Sequence, residues 1–477
     1  MSLSASNRNS TTDHIDWWTL GLMVSLTIVG LFMIYAVGFG KQGYPEDLLE
    51  FITKTTVGKQ IVWVIISFIG FIFVMLVDWK LWRALSYIIF GFSLLLLLLV
   101  PFIGTEIHGQ RCWFGFGSAT FQPSEFGKFA TALALSSYLS TYSTNLQQWR
   151  SILIAGSIVG LPILLILLQP DAGSALVFMS FNLVLFREGF TPWPFIVAFS
   201  LITLFILSFI FTASWVMFYL LLLGVLLIIM NIKYNKAYWL LGFTMLVSVG
   251  ILGIIQNRFE EVLVASLVMY LVVAAIQWYA NRKIARQIVL QSFFIALAAI
   301  FCFSIEFVTQ RLMQPHHRVR LEVWLTPNKC DPRGALYNVL QSKMAISSGG
   351  LQGKGFLEGA MTKLNYVPEQ TTDFIFCTIG EEQGFIGSFI VIGLFAALLI
   401  RMVFLAERQR NTYSRIYIYC IIGILFFHFF LNIGMTMGLV PIIGIPLPFV
   451  SKGGSSLLFF TIMMAVVLKS DSYRYSV

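Results

Sequence analysis

Apolar runs long enough to cross a bilayer recur from one end of this chain to the other, and they restrict what it can become. Inside hydrocarbon no water satisfies a backbone N–H or C=O, so a run of about 20 apolar residues must close its hydrogen bonds internally as an α-helix. Such runs fall at 17–39, 60–78, 82–104, 126–142, 152–168, 173–186, 194–211, 215–232, 237–256, 262–280, 288–308, 383–404, 414–435 and 453–469. Hydrophobic residues make up 58% of the chain, charged ones 11%, and the mean hydropathy is +0.84, far from soluble averages. The expected fold is an all-α polytopic membrane protein of about fourteen transmembrane helices.

An even number of spans returns both termini to one side. With the N-terminus cytoplasmic, the inward loops hold Lys80, Arg83, Arg150, Arg187, Lys233, Lys236, Arg282, Lys283, Arg286, Arg408, Arg410 and Arg415. The outward loops hold Lys41, Lys54, Lys59, Arg111, Lys128, Arg258 and Lys452. That bias follows the positive-inside rule and predicts that both termini are cytoplasmic. The net charge of +9 is then mainly a topological signal. Its spread over many loops leaves no nucleic-acid footprint. The first apolar run is too long for a cleaved signal and predicts a signal-anchor. Five cysteines show no metal-ligand spacing. Cys112 and Cys330 both read as outward, so their pairing stays open.

Within the spans, polar candidates are few: Asn182, Glu306, and His428 with Asn432 one turn apart. Ion-driven transporters place charge near the midplane, so this scarcity argues against one. His428 is expected to bond between helices rather than relay protons. Polar residues gather instead in four outward segments, 109–128, 168–173, 309–378 and 438–456, which suggests one composite site at the outer surface.

Local patterns there have plain structural readings. GGLQGKG at 349–355 lacks the GxxxxGK[ST] spacing of a phosphate loop and reads as a packed turn. Asp331, before Pro332, reads by spacing as the cap of a following helix more readily than as a catalyst. That helix would lie at the interface, with Leu336, Leu340 and Met344 on one face and Asn338, Gln341 and Ser342 on another. Glu125 and Lys128, three residues apart, would form a surface pair worth about 0.2–0.5 kcal/mol, or Lys128 would snorkel. Asp171, after Gln169-Pro170, suits the N-terminus of the next helix.

Taken in order, QPSEFGKFA (122–130), QPDAG (169–173), DPRGALYNVLQSKMAISSGGLQGKG (331–355), VPEQTTDFIF (367–376), GEEQGFIG (380–387) and GIPLPFVSKGGSS (444–456) resemble the SEDS family of bacterial cell-wall polymerases. The run NIGMTMGLVPIIGIPLPF (432–449) is closer to that family's elongation branch than to its division branch. The resemblance implies a ten-helix core with four helices inserted. It divides the chain into an N-terminal bundle (1–187), the inserted helices plus the helix leading to the loop (188–308), a large extracytoplasmic catalytic loop (309–378) and C-terminal helices (379–477).

It also implies an activity: polymerisation of lipid II, a disaccharide-pentapeptide on undecaprenyl diphosphate, into glycan strands at the bacterial inner membrane. Asp331 matches the family's essential aspartate, expected to deprotonate or orient the acceptor hydroxyl. Lys128 is the expected diphosphate partner, with Glu125 orienting it; Arg111, Gln122, Lys343, Ser451 and Lys452 are expected to contact substrate. Asp171, Glu369, Asp373 and Glu381 are expected to hold the loops. No protein-held metal or cofactor is expected, although the diphosphate leaves room for a divalent cation (Mg or Mn). The implied partners are a class B penicillin-binding protein and the elongation machinery. Two residues depart from the pattern: Leu336 stands where the family has glycine, and Lys452 where it has tyrosine. A lipid II flippase, or a non-catalytic scaffold, is the competing reading.

Overall fold

The computed structural model describes residues 15–39, 47–107, 110–116, 119–142, 144–211, 213–230, 243–244, 247, 259–280, 282–313, 315–331, 334 and 336–474. Lys41, Lys233, Lys236, Arg258 and nearly all of the expected span at 237–256 lie outside the described residues. The chain divides into two compact units, one built from 1–191 with 332–477 and the other from 192–331.

The first unit opens with α1 (Trp17–Phe39), α2 (Leu48–Lys54), α3 (Thr56–Leu76) and α4 (Trp79–Ile103). Three short strands follow, β1 (Thr105–Ile107), β2 (Gln110–Phe116) and β3 (Ala119–Phe121). Then come α5 (Pro123–Leu139), α6 (Trp149–Leu167), α7 (Ala172–Phe178) and α8 (Phe181–Arg187). The second unit holds α9 (Trp193–Ile210), α10 (Ala213–Met230), α11 (Phe259–Ala280), α12 (Arg282–Phe307) and α13 (Pro315–Leu325). The first unit resumes with α14 (Tyr337–Ser348), α15 (Ala360–Lys363), α16 (Ile375–Glu407), α17 (Thr412–Thr436) and α18 (Gly454–Ser472).

Among the described residues, nine helices are long and apolar enough to cross a membrane: α1, α3, α4, α6, α9, α12, α16, α17 and α18. Shorter apolar stretches cover α7–α8, α10 and α11. The run expected as one span at 173–186 is broken at Met179–Ser180, between α7 and α8. The expectation of helices alone also misses the strands. β2 pairs antiparallel with both β1 and β3 (Thr105 opposite Trp113, Phe114 opposite Phe121), giving a three-stranded sheet between α4 and α5.

The second unit has its own core of Leu221, Val225, Ile228, Tyr270 and Val273. Gln291 donates to the Gly224 carbonyl at 2.7 Å, a contact that the bare Gly224 backbone permits. In the first unit α17 and α18 are the most enclosed spans. Away from the sheet, Arg401 forks onto Asp16, Arg408 onto Asp471, and Arg408 also reaches Asp16 at 3.5 Å. One guanidinium thus ties the start of α1 to the end of α18.

Burial alone would raise the Asp16 carboxyl, but the Arg401 and Thr19 hydrogen bonds outweigh it and hold it at about 2. A depressed carboxyl stabilises the fold above its unfolded pKa near 3.8, and that gain is lost as pH falls through 2. Asp16→Asn should therefore lower stability at neutral pH by about 2 kcal/mol. It should also flatten the loss of melting temperature between pH 4 and 2, measured in detergent.

At the other end, the 349–355 loop is structural. α16 carries a non-helical glycine, Gly384 (φ 64°, ψ −158°), and the loop docks there by backbone bonds. Lys354 N–H donates to Glu381 O, Gly355 N–H to Glu382 O and Phe385 N–H to Gly350 O. A Cβ on Gly353 would lie 2.1 Å from Glu382 O, and one on Gly384 2.2 Å from Gly353 N. Only glycine combines that backbone angle with that approach. Gly384→Ala should cost roughly 3 kcal/mol. Gly350→Ala, with nothing within 4 Å of its Cβ, should cost about 1–2 kcal/mol from left-handed geometry alone. Equal melting temperatures for the two variants would refute the docking role.

The helix after Asp331 differs from its expected form. It starts at Tyr337 with Leu336 in the cap position, so Asp331 is not its cap. Val339, Ser342 and Ala345 are buried, whereas Met344 is exposed. Ser342, expected on the polar face, points inward and donates to Thr436 O at 2.9 Å. The buried stripe is made of small residues because backbones meet there: a Cβ on Gly349 would lie 2.0 Å from Gly380 O.

Candidate active site

Pro123 starts α5, where its missing N–H needs no partner and its fixed φ suits the first turn. Glu125 and Lys128 then face inward on one side of that helix. Both are enclosed, Lys128 with no exposed side-chain surface. The surface pair and the snorkelling lysine expected from spacing are therefore corrected, because α17 and α18 pack over this face.

The Lys128 ammonium lies 2.8 Å from Glu125 Oε1 and 2.8 Å from His428 Nε2. It also sits 5.3 Å from the centre of the Phe460 ring. Three elements, α5, α17 and α18, thus surround one cation. An ion pair is expensive to bury unless its remaining valences are met. Here Glu125 Oε2 is buried and has no hydrogen-bond partner among the described residues. His428 Nδ1 faces the Pro446 carbonyl at 3.1 Å. His428 therefore bridges helices, as expected, though its partner stands 300 residues away in sequence.

One turn along α17, Asn432 donates to Asp373 O at 2.8 Å and Ile445 O at 2.7 Å. Ser451 Oγ donates to Thr372 O at 2.5 Å and accepts from Leu447 N–H at 2.8 Å. Lys452 N–H donates to Thr371 O at 2.8 Å. The segments 371–373 and 445–452 are zipped together this way over α17 and α18. Glu369, exposed at φ 55°, accepts from Thr372 Oγ1 at 3.1 Å. Buried Glu381 accepts from Lys354 Nζ, Met361 N–H and Thr362 at 2.7–3.0 Å, fixing the start of α15.

The sheet is stitched to the QPDAG segment. Gln122 Nε2 donates to Asp171 Oδ2 at 3.2 Å, and Asp171 caps α7 through Ser174 N–H at 3.0 Å, as its place after Pro170 predicts. Gln110 donates to Pro170 O at 3.0 Å and Gln169 to Leu97 O at 2.7 Å. Cys112 is buried with its thiol 3.1 Å from Gln169 O, and burial with the nearby Asp171 charge pushes that thiol up to about 12. Cys112 and Cys330 are both free thiols, so the pairing left open by the sequence is not formed here, and Cys112 is buried.

The structure therefore gathers Glu125 and Lys128 with His428, Gln122 with Asp171, and Ser451 and Lys452 with the backbone beside Asp373. It does not gather Arg111, which is exposed and pairs with Glu106 at 3.3 Å. Lys343 is exposed on α14, with its ammonium against the Gly438 backbone. Asp331 is an exposed loop residue closing the second unit. Thr362, Gln169 and Phe460 escaped the sequence reading because nothing local marks a distant hydrogen bond or ring contact.

The family model of the FtsW/RodA/SpoVE proteins, described as cell cycle protein, matches residues 17–222 and 216–476. The chain is 31% identical over 457 residues to the peptidoglycan glycosyltransferase RodA of Treponema pallidum, covering 95% of this chain and 96% of that one. It is 29% identical over 394 residues to the peptidoglycan glycosyltransferase MrdB of Escherichia coli K12, covering 82% and 78%. A chain from a solved peptidoglycan synthase complex that coordinates polymerization and crosslinking matches with a TM-score of 0.60 at 23% identity, covering 97% of this chain and 99% of its own. The solved RodA of Thermus thermophilus matches with a TM-score of 0.54 at 21% identity, covering 97% and 98%. At those identities the structures speak for the fold; the family match takes in nearly the whole length, and the chain belongs to the FtsW/RodA/SpoVE family.

Proposed function

We propose that this chain is a peptidoglycan glycosyltransferase that polymerises lipid II into glycan strands for cell elongation. The observation that carries the reading is continuous similarity, over 95% of the chain, to a relative that bears that name. The proposed reaction sets what these residues must supply. Transfer needs a base to take the acceptor hydroxyl proton as that oxygen attacks the donor's anomeric carbon, and positive charge to receive the departing diphosphate. Asp331 is the proposed base. Lys128 supplies a fixed positive charge from inside the protein, oriented by Glu125, while Arg111, Lys343 and Lys452 reach the surface. Gln122, at the start of α5, and Ser451, in the zipped segments, are proposed to face the substrate; Asp171 holds Gln122, and Glu369, Asp373 and Glu381 are proposed to hold the loops around 354–373.

The activated donor carries its own driving force, so no nucleotide is required. Among the described residues no group of three His, Cys, Asp or Glu is gathered for a metal. A divalent cation, if used, would arrive with the diphosphate. The remaining proposals are fourteen spans, both termini cytoplasmic by the charge bias, and a site on the extracytoplasmic face of the bacterial inner membrane. A class B penicillin-binding protein is the proposed partner; the similar chain from a complex coordinating polymerization with crosslinking supports it. The test is incubation of the purified protein, with and without that partner, with lipid II. Glycan polymer is the expected product. Movement of labelled lipid II across vesicles without polymer would favour a flippase and overturn the proposal.

A further inference from the structure

The bond between Lys128 and His428 leaves one arrangement of protons. His428 Nδ1 faces the Pro446 carbonyl, an acceptor only, so the ring proton sits on Nδ1 and is donated there. Nε2 then presents a lone pair to Lys128 Nζ at 2.8 Å. A doubly protonated ring would set an N–H against the ammonium, two donors face to face. Phe460 fixes the ring from the side, edge to face with His428 at 5.0 Å, while also facing the ammonium at 5.3 Å. The polar contacts of both ring nitrogens are thereby matched to one tautomer.

This ring joins two parts of the site by hydrogen bonds. On one side is the backbone of the 444–453 segment, at Pro446; on the other is the buried cation of α5. Glu125 orients Lys128 from within α5, whereas His428 ties the ammonium to the loop by hydrogen bonds; Phe460, packed on Phe449 at 5.9 Å, adds a ring contact to the same loop. We propose that His428 is the positioning residue of the site, setting the Lys128 ammonium in register with the 444–453 loop through a neutral Nε2 acceptor. The proposal rests on the glycosyltransferase reading. It adds a residue outside the motif segments from which that reading was drawn.

Three substitutions separate the two ring nitrogens. His428→Gln keeps an acceptor near the place of Nε2, His428→Asn keeps a polar group near Nδ1 only, and His428→Leu keeps neither. With the partner protein and lipid II, Leu and Asn should lower kcat/KM roughly tenfold or more, the scale of losing one hydrogen bond to a charge. Gln should recover most of that loss. Melting temperatures of single and double variants with Lys128→Met give a readout that needs no activity. The shift caused by His428→Leu should shrink in the Lys128→Met background, because the acceptor no longer has a cation to serve.

Full activity in His428→Leu, Asn performing as well as Gln, or an undiminished melting shift in the Lys128→Met background would each overturn the proposal. Should His428→Leu prove too unstable to assay, the melting cycle and the Gln–Asn comparison decide it. If the wild type makes no glycan, the polymerase reading falls, and the melting cycle alone then tells whether His428 holds Lys128.

Discussion

Asp331→Asn should abolish glycan polymerisation while leaving the protein folded. A positioned general base contributes roughly 10²–10⁴-fold, and the amide cannot accept the acceptor hydroxyl's proton. Stability should barely change, because Asp331 is exposed and the cap position of the next helix belongs to Leu336. Surface substitutions of this kind stay within about 0.5 kcal/mol. Polymer length on gels and melting temperature in detergent, taken on one preparation, test both halves. Unchanged lipid II turnover in the variant would remove Asp331 from the chemistry; a collapsed melting temperature would show a structural role instead. A flippase would move labelled lipid equally well with either residue.

Lys128→Met should have the largest effect on stability. It removes the cation from a pair with almost no solvent contact and leaves the Glu125 carboxylate buried alone, which typically costs about 3–5 kcal/mol. Glu125→Gln with Lys128→Met should recover part of that, since a neutral amide is far cheaper to enclose than a lone carboxylate. Activity should stay lost in both, because the site no longer holds a positive charge for the diphosphate. If the single and double variants melt alike, the ion pair is not what holds α5 in place. If the double variant also polymerises, Lys128 has no part in the reaction.

Much of the architecture was legible because hydrocarbon imposes a length. The runs at 17–39 and 414–435 predict α1 and α17 almost to the residue, since a span must be apolar throughout and ends where polarity returns. Periodicity served less well at 337–348. It pointed to Leu336, Leu340 and Met344; Leu336 is buried, but within the helix the buried stripe is Val339, Ser342 and Ala345, where small side chains let backbones approach. A hydrophobic pattern reports what avoids water, and beside another helix what matters is what fits. The motif segments were visible as polarity amid apolar sequence, yet not the depth of Lys128. An i, i+3 carboxylate and amine look alike on a surface and in a core; the difference is made by His428 and Phe460, contributed by helices far along the chain. The sheet at 105–121 was missed because its strands are only three to seven residues long, and because Gln110 holds one of them to the Pro170 carbonyl, a distant partner that no local pattern reveals.

The break at Gly384 has a consequence for how α16 matches the thickness of a bilayer. Unbroken, 33 residues would stretch about 50 Å, well beyond a hydrocarbon layer of about 30 Å. From Phe385 to Glu407 the helix runs roughly 34 Å, which fits that layer with slight tilt. The turn before the break is the part that carries Glu381 and Glu382. A single glycine thus marks where the lipid-matched length stops, and it lets two adjacent carboxylates be enclosed by protein without either being carried into hydrocarbon.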